Sequence, residues 1–489
     1  MKFGNSRPNL RNFFYLVTSG LIIQLAGSVY RIWLANRIGA EGLGILQMVY
    51  PVYRLLSGLA TLGLPLALTK WSAEYLAAHQ YSEIESVLKW AIRTVTVSSL
   101  IAGVGLFLCS PLLGRYLFTD GRVTEALYMI ALAIPFSALS AIYRGHFQGH
   151  SQMAPMATSE ITEQTVEIGT TFLFIGFLLN QMPFAASSAP VLGLTFGEVT
   201  CLITLFYFRK KTSKGSPNLI ASQTNPLPVP ALPRREIFQY SWPILLNQIV
   251  SSVSMASEGI IIPRLLMAGG ISATVGTGLF GQLTGMAEPV SYFPLILLAP
   301  LASVLSPQVS SAIKTGALLP NPENKVQNDT APIGARFRSK AGRYRSLTLG
   351  GTSSLLARLG LIKHKIRLFY TVAIILCLVC FLGIMTLAGP ISRLLYRTMA
   401  AAPLIQLLVI GLPFTGVAIL NISILGAAGA TDKILMISIW ATGLKAFCFV
   451  ILIPLLGIVG AAWSINVTQI FLSLASTFEL RRKSSVPAA

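Results

Sequence analysis

Charge is scarce in this sequence. Only 11% of its 489 residues are Asp, Glu, Lys or Arg, against about 25% in soluble globular domains. Such a shortfall excludes an ordinary water-soluble enzyme or signalling domain. Acids are scarcer still, 17 against 37 basic residues. Cysteine is limited to Cys109, Cys201, Cys377, Cys380 and Cys448, all inside apolar stretches. That placement excludes a disulfide framework in an external domain and marks them as packing residues.

Enzyme motifs are missing or fail on context. No G-x-x-x-x-G-K-[ST] run occurs, which excludes nucleotide hydrolysis by a P-loop. "GTGLFG" at Gly276–Gly281 has dinucleotide-motif spacing, but no strand precedes it. Cys377 and Cys380 are spaced like a metal pair, yet they sit in an apolar run with no second pair. His146 and His150 are four apart, but Gly145 and Gly149 favour a turn over a metal-binding helix. Neither metal nor cofactor is expected.

Apolar sequence dominates instead. The chain is 53% hydrophobic with a mean hydropathy of +0.68. Stretches of the roughly 20 residues needed to cross a hydrocarbon core recur along its length. About twelve are expected, near 12–36, 45–69, 90–113, 123–143, 155–179, 186–208, 238–262, 276–305, 367–389, 402–425, 434–455 and 458–478. The first is too long for a signal peptide and lacks a small-residue cleavage site. With the N-terminus inside, most Lys and Arg fall in inner loops, and only Arg37, Arg115, Arg122, Arg264, Arg393 and Arg397 fall outside. This asymmetry places both termini in the cytoplasm.

The expected fold is therefore an all-α polytopic membrane protein. "RKKTSKGSPNLIASQTNPLPVPALPRRE" is basic and Pro-rich, and it divides the spans six and six. The expected organisation is a six-helix lobe over 1–208, a cytoplasmic linker over 209–236, a second six-helix lobe over 237–480, and a cytoplasmic tail over 481–489. The second lobe carries a basic insertion at 315–360, read either as a solvated inner loop or as an attachment to anionic lipid headgroups. The halves echo one another: Pro135-Phe136-Ser137 is matched by Pro413-Phe414-Thr415. Six helices per repeat give lobes of equal orientation, related by a pseudo-two-fold along the membrane normal.

Ionisable residues inside the spans are the candidate functional groups, because a charge at bilayer depth costs at least about 2.5–3.5 kcal/mol. Glu160, Glu163 and Glu167 follow i, i+3, i+7 spacing on one helical face. They line water as an ion-coupling set, form a structural ion-pair network, or make a wet first turn. Arg31, Arg54 and Arg144 are the cations that could offset them, and Glu258 and Glu288 supply acids in the second half. Pro51, Pro135, Pro289 and Pro413 break the helical hydrogen-bond ladder and are hinge candidates.

Three stretches carry a family resemblance. "RIWLANRIGAEGLGILQMVYPVYRLLSGLATLGLPLALTKWSAEY", "YRGHFQGHSQMAPMATSEITEQ" and the region from "IIIPRLLMAGG" to "SPQVSSA" resemble the stage V sporulation protein B branch of the multidrug/oligosaccharidyl-lipid/polysaccharide exporter superfamily. The resemblance implies a V-shaped pair of six-helix bundles around a central cavity. It also implies movement of a lipid-linked saccharide, of peptidoglycan or polysaccharide type, across the cytoplasmic membrane. An undecaprenyl-pyrophosphate headgroup would then meet Arg31, Arg54 and Arg144, whose guanidinium groups match phosphate. A coupling proton or sodium and the surrounding lipids would be further partners, and nucleic acid would not. The competing expectation is a multidrug-type cation antiporter that uses the carboxylates. A membrane enzyme would need a large external loop, and none is expected here.

Overall fold

The computed structural model describes residues 10–78, 80–118, 120–181, 188–214, 234–296, 298 and 363–485. The 315–360 insertion and most of the 209–236 linker lie outside them. All regular structure among the described residues is helical. The first half contains α1 (Leu10–Thr61), α2 (Leu64–Ala77), α3 (Tyr81–Tyr116), α4 (Val123–Ala131), α5 (Ala133–Gly149), α6 (Met153–Gln181) and α7 (Ala189–Lys214). Next come α8 (Arg234–Ala268), α9 (Ala273–Phe280), a π-helical segment (Gly281–Ala287) and α10 (Glu288–Tyr292). The chain continues with α11 (Lys363–Tyr396), α12 (Ala402–Val409), α13 (Leu412–Ala427), α14 (Thr431–Leu456) and α15 (Ile458–Ser485).

Among the described residues seven helices are long and apolar enough to cross a membrane, or up to nine if each bent pair counts as one span. The twelve expected stretches fall on helices, the eighth partly beyond the described residues, and physical reasons separate the two counts. At 1.5 Å per residue the 52 residues of α1 would reach roughly 78 Å, far more than a 30 Å core. The helix is broken at Gly39, whose φ of 68° and ψ of −175° are non-helical, so two expected stretches share one element. The fifth expected stretch is α6, and its three glutamates lower its hydropathy. The eighth is divided between α9, the π segment and α10.

The chain groups into two compact units. One comprises Met1–Phe293, Ile384–Val409 and Ser438–Asn466; the other comprises Pro294–Gly383, Ile410–Ile437 and Val467–Ala489. In the first, Leu34, Ile45, Met48, Leu88, Leu127, Ile130, Ile134 and Phe280 belong to one buried core. Its surface is apolar too: Val29, Ile101, Leu108 and Leu173 are exposed, as lipid-facing residues are. In the second, Tyr370 donates to Asn421 Oδ1, and Asn421 Nδ2 donates to Ser476 Oγ (2.9 Å) and Thr477 Oγ1 (2.8 Å). This chain satisfies a polar side chain that the apolar sequence around it would otherwise strand. Cys377 is buried in the same unit, where a Cβ on Gly416 would meet its sulfur at 2.7 Å.

Two of the proline candidates coincide with interruptions. The helices α4 and α5 meet at a 43° bend, with Pro135 the third residue of α5. The repeat-related α12 and α13 are separated at Ile410–Gly411, and Pro413 is the second residue of α13. Pro289 follows the π segment, whereas α1 continues as helix through Pro51. The π segment's carbonyls are taken up from outside. Gln47 Nε2 donates to Thr284 O (3.1 Å) and the Tyr396 hydroxyl to Met286 O (3.0 Å).

An ionic knot ties the α1 break, the α3–α4 turn and α9 together. Arg122 donates to Asp120 Oδ1 (3.0 Å) and Oδ2 (2.7 Å) and to Glu41 Oε2 (3.1 Å), while Thr277 donates to Asp120 Oδ2 (3.4 Å). Burial pushes the Asp120 carboxyl up, but the hydrogen bonds and charge of Arg122 outweigh it and hold the group below its ordinary value. A lowered native value means that the stabilisation is complete above the unfolded value of about 3.9 and is lost as pH falls through the native one. The unfolding temperature in detergent should show an acid decline below about pH 4, and Asp120→Asn should remove that part of it. At neutral pH the variant should cost about 2 kcal/mol, the scale of a hydrogen bond to a charged group. An unchanged acid limb in Asp120→Asn would contradict this.

Candidate functional site

The acids of α6 are positioned by small residues on its neighbour. Gly193 and Gly197 of α7 form a G-x-x-x-G step, a spacing that lets helices approach closely in a membrane. A Cβ on Gly197 would meet Glu163 O at 3.0 Å and Glu167 Cβ at 3.2 Å. This contact brings Glu198, the next residue, beside Glu163. Ligand atoms of Glu163, Glu198 and Cys201 all lie within 4.8 Å of one another.

Arg144 of α5 enters the same cluster. Its guanidinium is ion-paired with Glu163 and donates to Cys201 Sγ at 3.0 Å. Tyr53 of α1 donates to Glu198 Oε1 at 2.6 Å, with Ser137 Oγ 2.8 Å from the same hydroxyl. Glu198 is only 6% exposed, and its Oε2 is buried without a partner. Glu160, half-buried, lies within electrostatic range of Arg144 and Glu163.

A second polar path starts at Arg31. This arginine is exposed and forms no ion pair among the described residues, yet Glu167 of α6, Glu288 of α10 and Tyr396 of α11 are all within its electrostatic range. Arg54 is likewise exposed and without an ion pair among the described residues. Lys445 of α14 is buried, donating to Glu258 Oε1 (2.6 Å), Ser254 Oγ (2.7 Å) and Ser254 O (3.2 Å). Glu258 and Lys445 in turn lie within range of Glu288.

The structure thus joins Arg144 to Glu163, joins Glu258 to Lys445, and leaves Arg31 and Arg54 without carboxylate partners among the described residues. Cys201, read from sequence as packing, faces the charge cluster through its contact with Arg144. Tyr53 was not legible as a site residue, since nothing in an apolar run announces which hydroxyl will meet a glutamate on another helix. The turn expected at Gly145–Gly149 is helical: α5 runs to Gly149. Those glycines serve close approach instead, because Cβ atoms there would meet Pro65 O and Ser72 Cβ of α2. His146 Nε2 lies 3.3 Å from Arg209 Nη1, and Arg209 Nη2 donates to Glu85 at 2.5 Å. That cation beside the imidazole opposes metal binding at the His146–His150 pair. The "GTGLFG" run is a helix-packing surface against α1.

The multi-pass helical architecture, with ion pairs between its helices, has counterparts among known proteins. The fold matches an inward-facing multidrug resistance MATE family transporter of the MOP superfamily with a TM-score of 0.66 at 14% identity, over 96% of this chain and 98% of that one. It also matches a MOP superfamily transporter from Pyrococcus furiosus, with a TM-score of 0.62 at 14% identity, over 97% and 95%. The chain belongs to the polysaccharide biosynthesis protein family, whose model matches residues 9–313. Stage V sporulation protein B of Bacillus subtilis is 28% identical over 308 residues, 62% of this chain and 58% of that protein. The lipid II flippase MurJ of the same organism is 25% identical over 323 residues, 63% and 58%. The chain thus aligns with 58% of the length of these two relatives.

Proposed function

We propose that the protein carries a lipid-linked saccharide precursor across the cytoplasmic membrane by alternating access, as a transporter and not an enzyme, with both termini in the cytoplasm. The carrying observation is that Arg31 and Arg54 on α1 are both exposed and neither is in an ion pair among the described residues. A pyrophosphate headgroup needs cations that are not already neutralised, and bidentate arginines suit it. A relative named as a lipid II flippase supports the substrate class. Arg144, held by Glu163, would reach the headgroup only by leaving that carboxylate. The lipid tail would stay in the bilayer while the headgroup passes between the two six-helix halves. Ion coupling would use the carboxylates of α6 and their neighbours.

A multidrug-type antiporter is the second reading, favoured by the acids of α6 and by Glu198, Glu258 and Glu288. Reconstitution separates the two. Arg31→Ala should lose translocation of a fluorescent undecaprenyl-pyrophosphate saccharide by at least about tenfold while the protein still inserts and elutes as a single species. A fold-change of ten corresponds to about 1.4 kcal/mol, less than the loss of a charge-assisted hydrogen bond. Wild-type transport by Arg31→Ala would refute the role of this arginine.

A further inference from the structure

The α5–α6–α7 cluster carries a charge imbalance. Glu163 and Glu198 supply two negative charges, and Arg144 supplies one positive charge within direct reach. Glu167, in range of Glu198, and Glu160, in range of Glu163, add two further carboxylates. The other groups facing Glu198 are Tyr53 and Tyr50 of α1, Ser137 of α5 and Cys201 of α7, none of them a cation. Among the groups in direct contact one negative charge therefore remains over, before Glu160 and Glu167 add theirs.

The uncompensated position can be located. Glu163 is ion-paired, and Glu198 Oε1 receives the Tyr53 hydroxyl. Glu198 Oε2 is buried and unpartnered in a residue 6% exposed, and this side chain converges with Glu163 and Cys201. An unpaired buried carboxylate is costly, so a monocation belongs there. A divalent metal does not fit: the Arg144 guanidinium already sits on Glu163 and 3.0 Å from Cys201 Sγ, and it would repel such an ion. A proton needs no extra space and leaves the arginine in place.

We infer that Glu198 and Glu163 form a two-carboxylate site that holds one exchangeable proton, carried on Glu198, with Tyr53 and Arg144 as its fixed partners. This deepens the coupling part of the proposed function. When Arg144 stays on Glu163, Glu198 is the protonated acid. If a phosphate headgroup drew Arg144 away, Glu163 would lose its counter-charge and compete for the proton. Substrate and proton would then be linked through a single guanidinium.

Infrared spectroscopy of the full chain purified in detergent tests this without any lipid substrate, so its outcome is independent of the translocation assay. At neutral pH the wild type should show a carboxylic C=O stretch that loses one carboxyl's intensity in Glu198→Gln. Glu163→Gln should lose the same intensity, because Arg144 is then free to neutralise an ionised Glu198. Simple burial of Glu198 would leave it protonated in that variant. The half-exposed Glu74→Gln should change nothing. The inference is overturned if Glu198→Gln leaves the band intact, if Glu163→Gln retains it in a monodisperse protein, or if sodium at constant pH removes it. The last result would make the ligand sodium.

Discussion

Gly44→Val should prevent the protein from accumulating as a folded, monodisperse species. A Cβ at Gly44 would run into the Thr277 carbonyl oxygen, and one at Gly281 would run into Ala40 O while lying 2.7 Å from Gly44 N. The two glycines thus face each other where α1 passes α9 and the π segment. Overpacking of a core costs about 1–3 kcal/mol when side chains can yield. Here the obstacle is backbone, so the cost should exceed about 3 kcal/mol, a large share of a marginal stability. Size-exclusion of detergent-solubilised protein provides the measurement. Gly105→Ala on α3 is the control, because nothing lies within 4 Å of its Cβ position; it should be neutral or slightly stabilising. Equal yields of Gly44→Val and Gly105→Ala would remove the packing argument.

Lys445→Met should lower stability by about 3–5 kcal/mol, the cost of leaving one member of a buried ion pair unmatched. The side chains of Lys445 and Glu258 are 9% and 17% exposed, so water cannot replace the missing ammonium. Glu288 lies within range of the same carboxylate and would add repulsion. The double variant Lys445→Met with Glu258→Met should recover most of the loss, since it removes both charges of the pair, although the Ser254 hydroxyl and carbonyl also lose the ammonium. Thermal unfolding midpoints in detergent decide the matter. If the double variant is no more stable than the single, the pair is not what holds α8 to α14.

Several of these features could be read from the sequence for physical reasons. The i, i+3, i+7 spacing of Glu160, Glu163 and Glu167 needs only helical geometry, and α6 carries all three. The proline echo between Pro135 and Pro413 reappears where both repeat-related helix pairs are interrupted. The gap that hydropathy leaves between the stretches at 12–36 and 45–69 contains Gly39, where α1 is broken, and the stretch at 155–179 falls on α6 despite its three acids.

Partners across helices were not legible. Which cation meets Glu163 depends on how α5 packs against α6, while Gly193 and Gly197 let α7 approach α6 closely enough to bring Glu198 and Cys201 alongside. The same contact turned Cys201 from apolar filler into a neighbour of Arg144. Lys445 and Glu258 stand 187 positions apart, and neither sequence neighbourhood names the other. The π segment also gives no periodic signal; its carbonyl acceptors are matched by Gln47 and Tyr396, residues from distant elements.

The most direct measurement offers wild-type proteoliposomes both an undecaprenyl-pyrophosphate saccharide and a cationic dye, under an imposed proton gradient. The account predicts that the saccharide headgroup crosses, faster with the gradient than without, and that the dye does not. Dye movement that depends on the carboxylates, with no headgroup transfer, would contradict it and make the protein a cation antiporter.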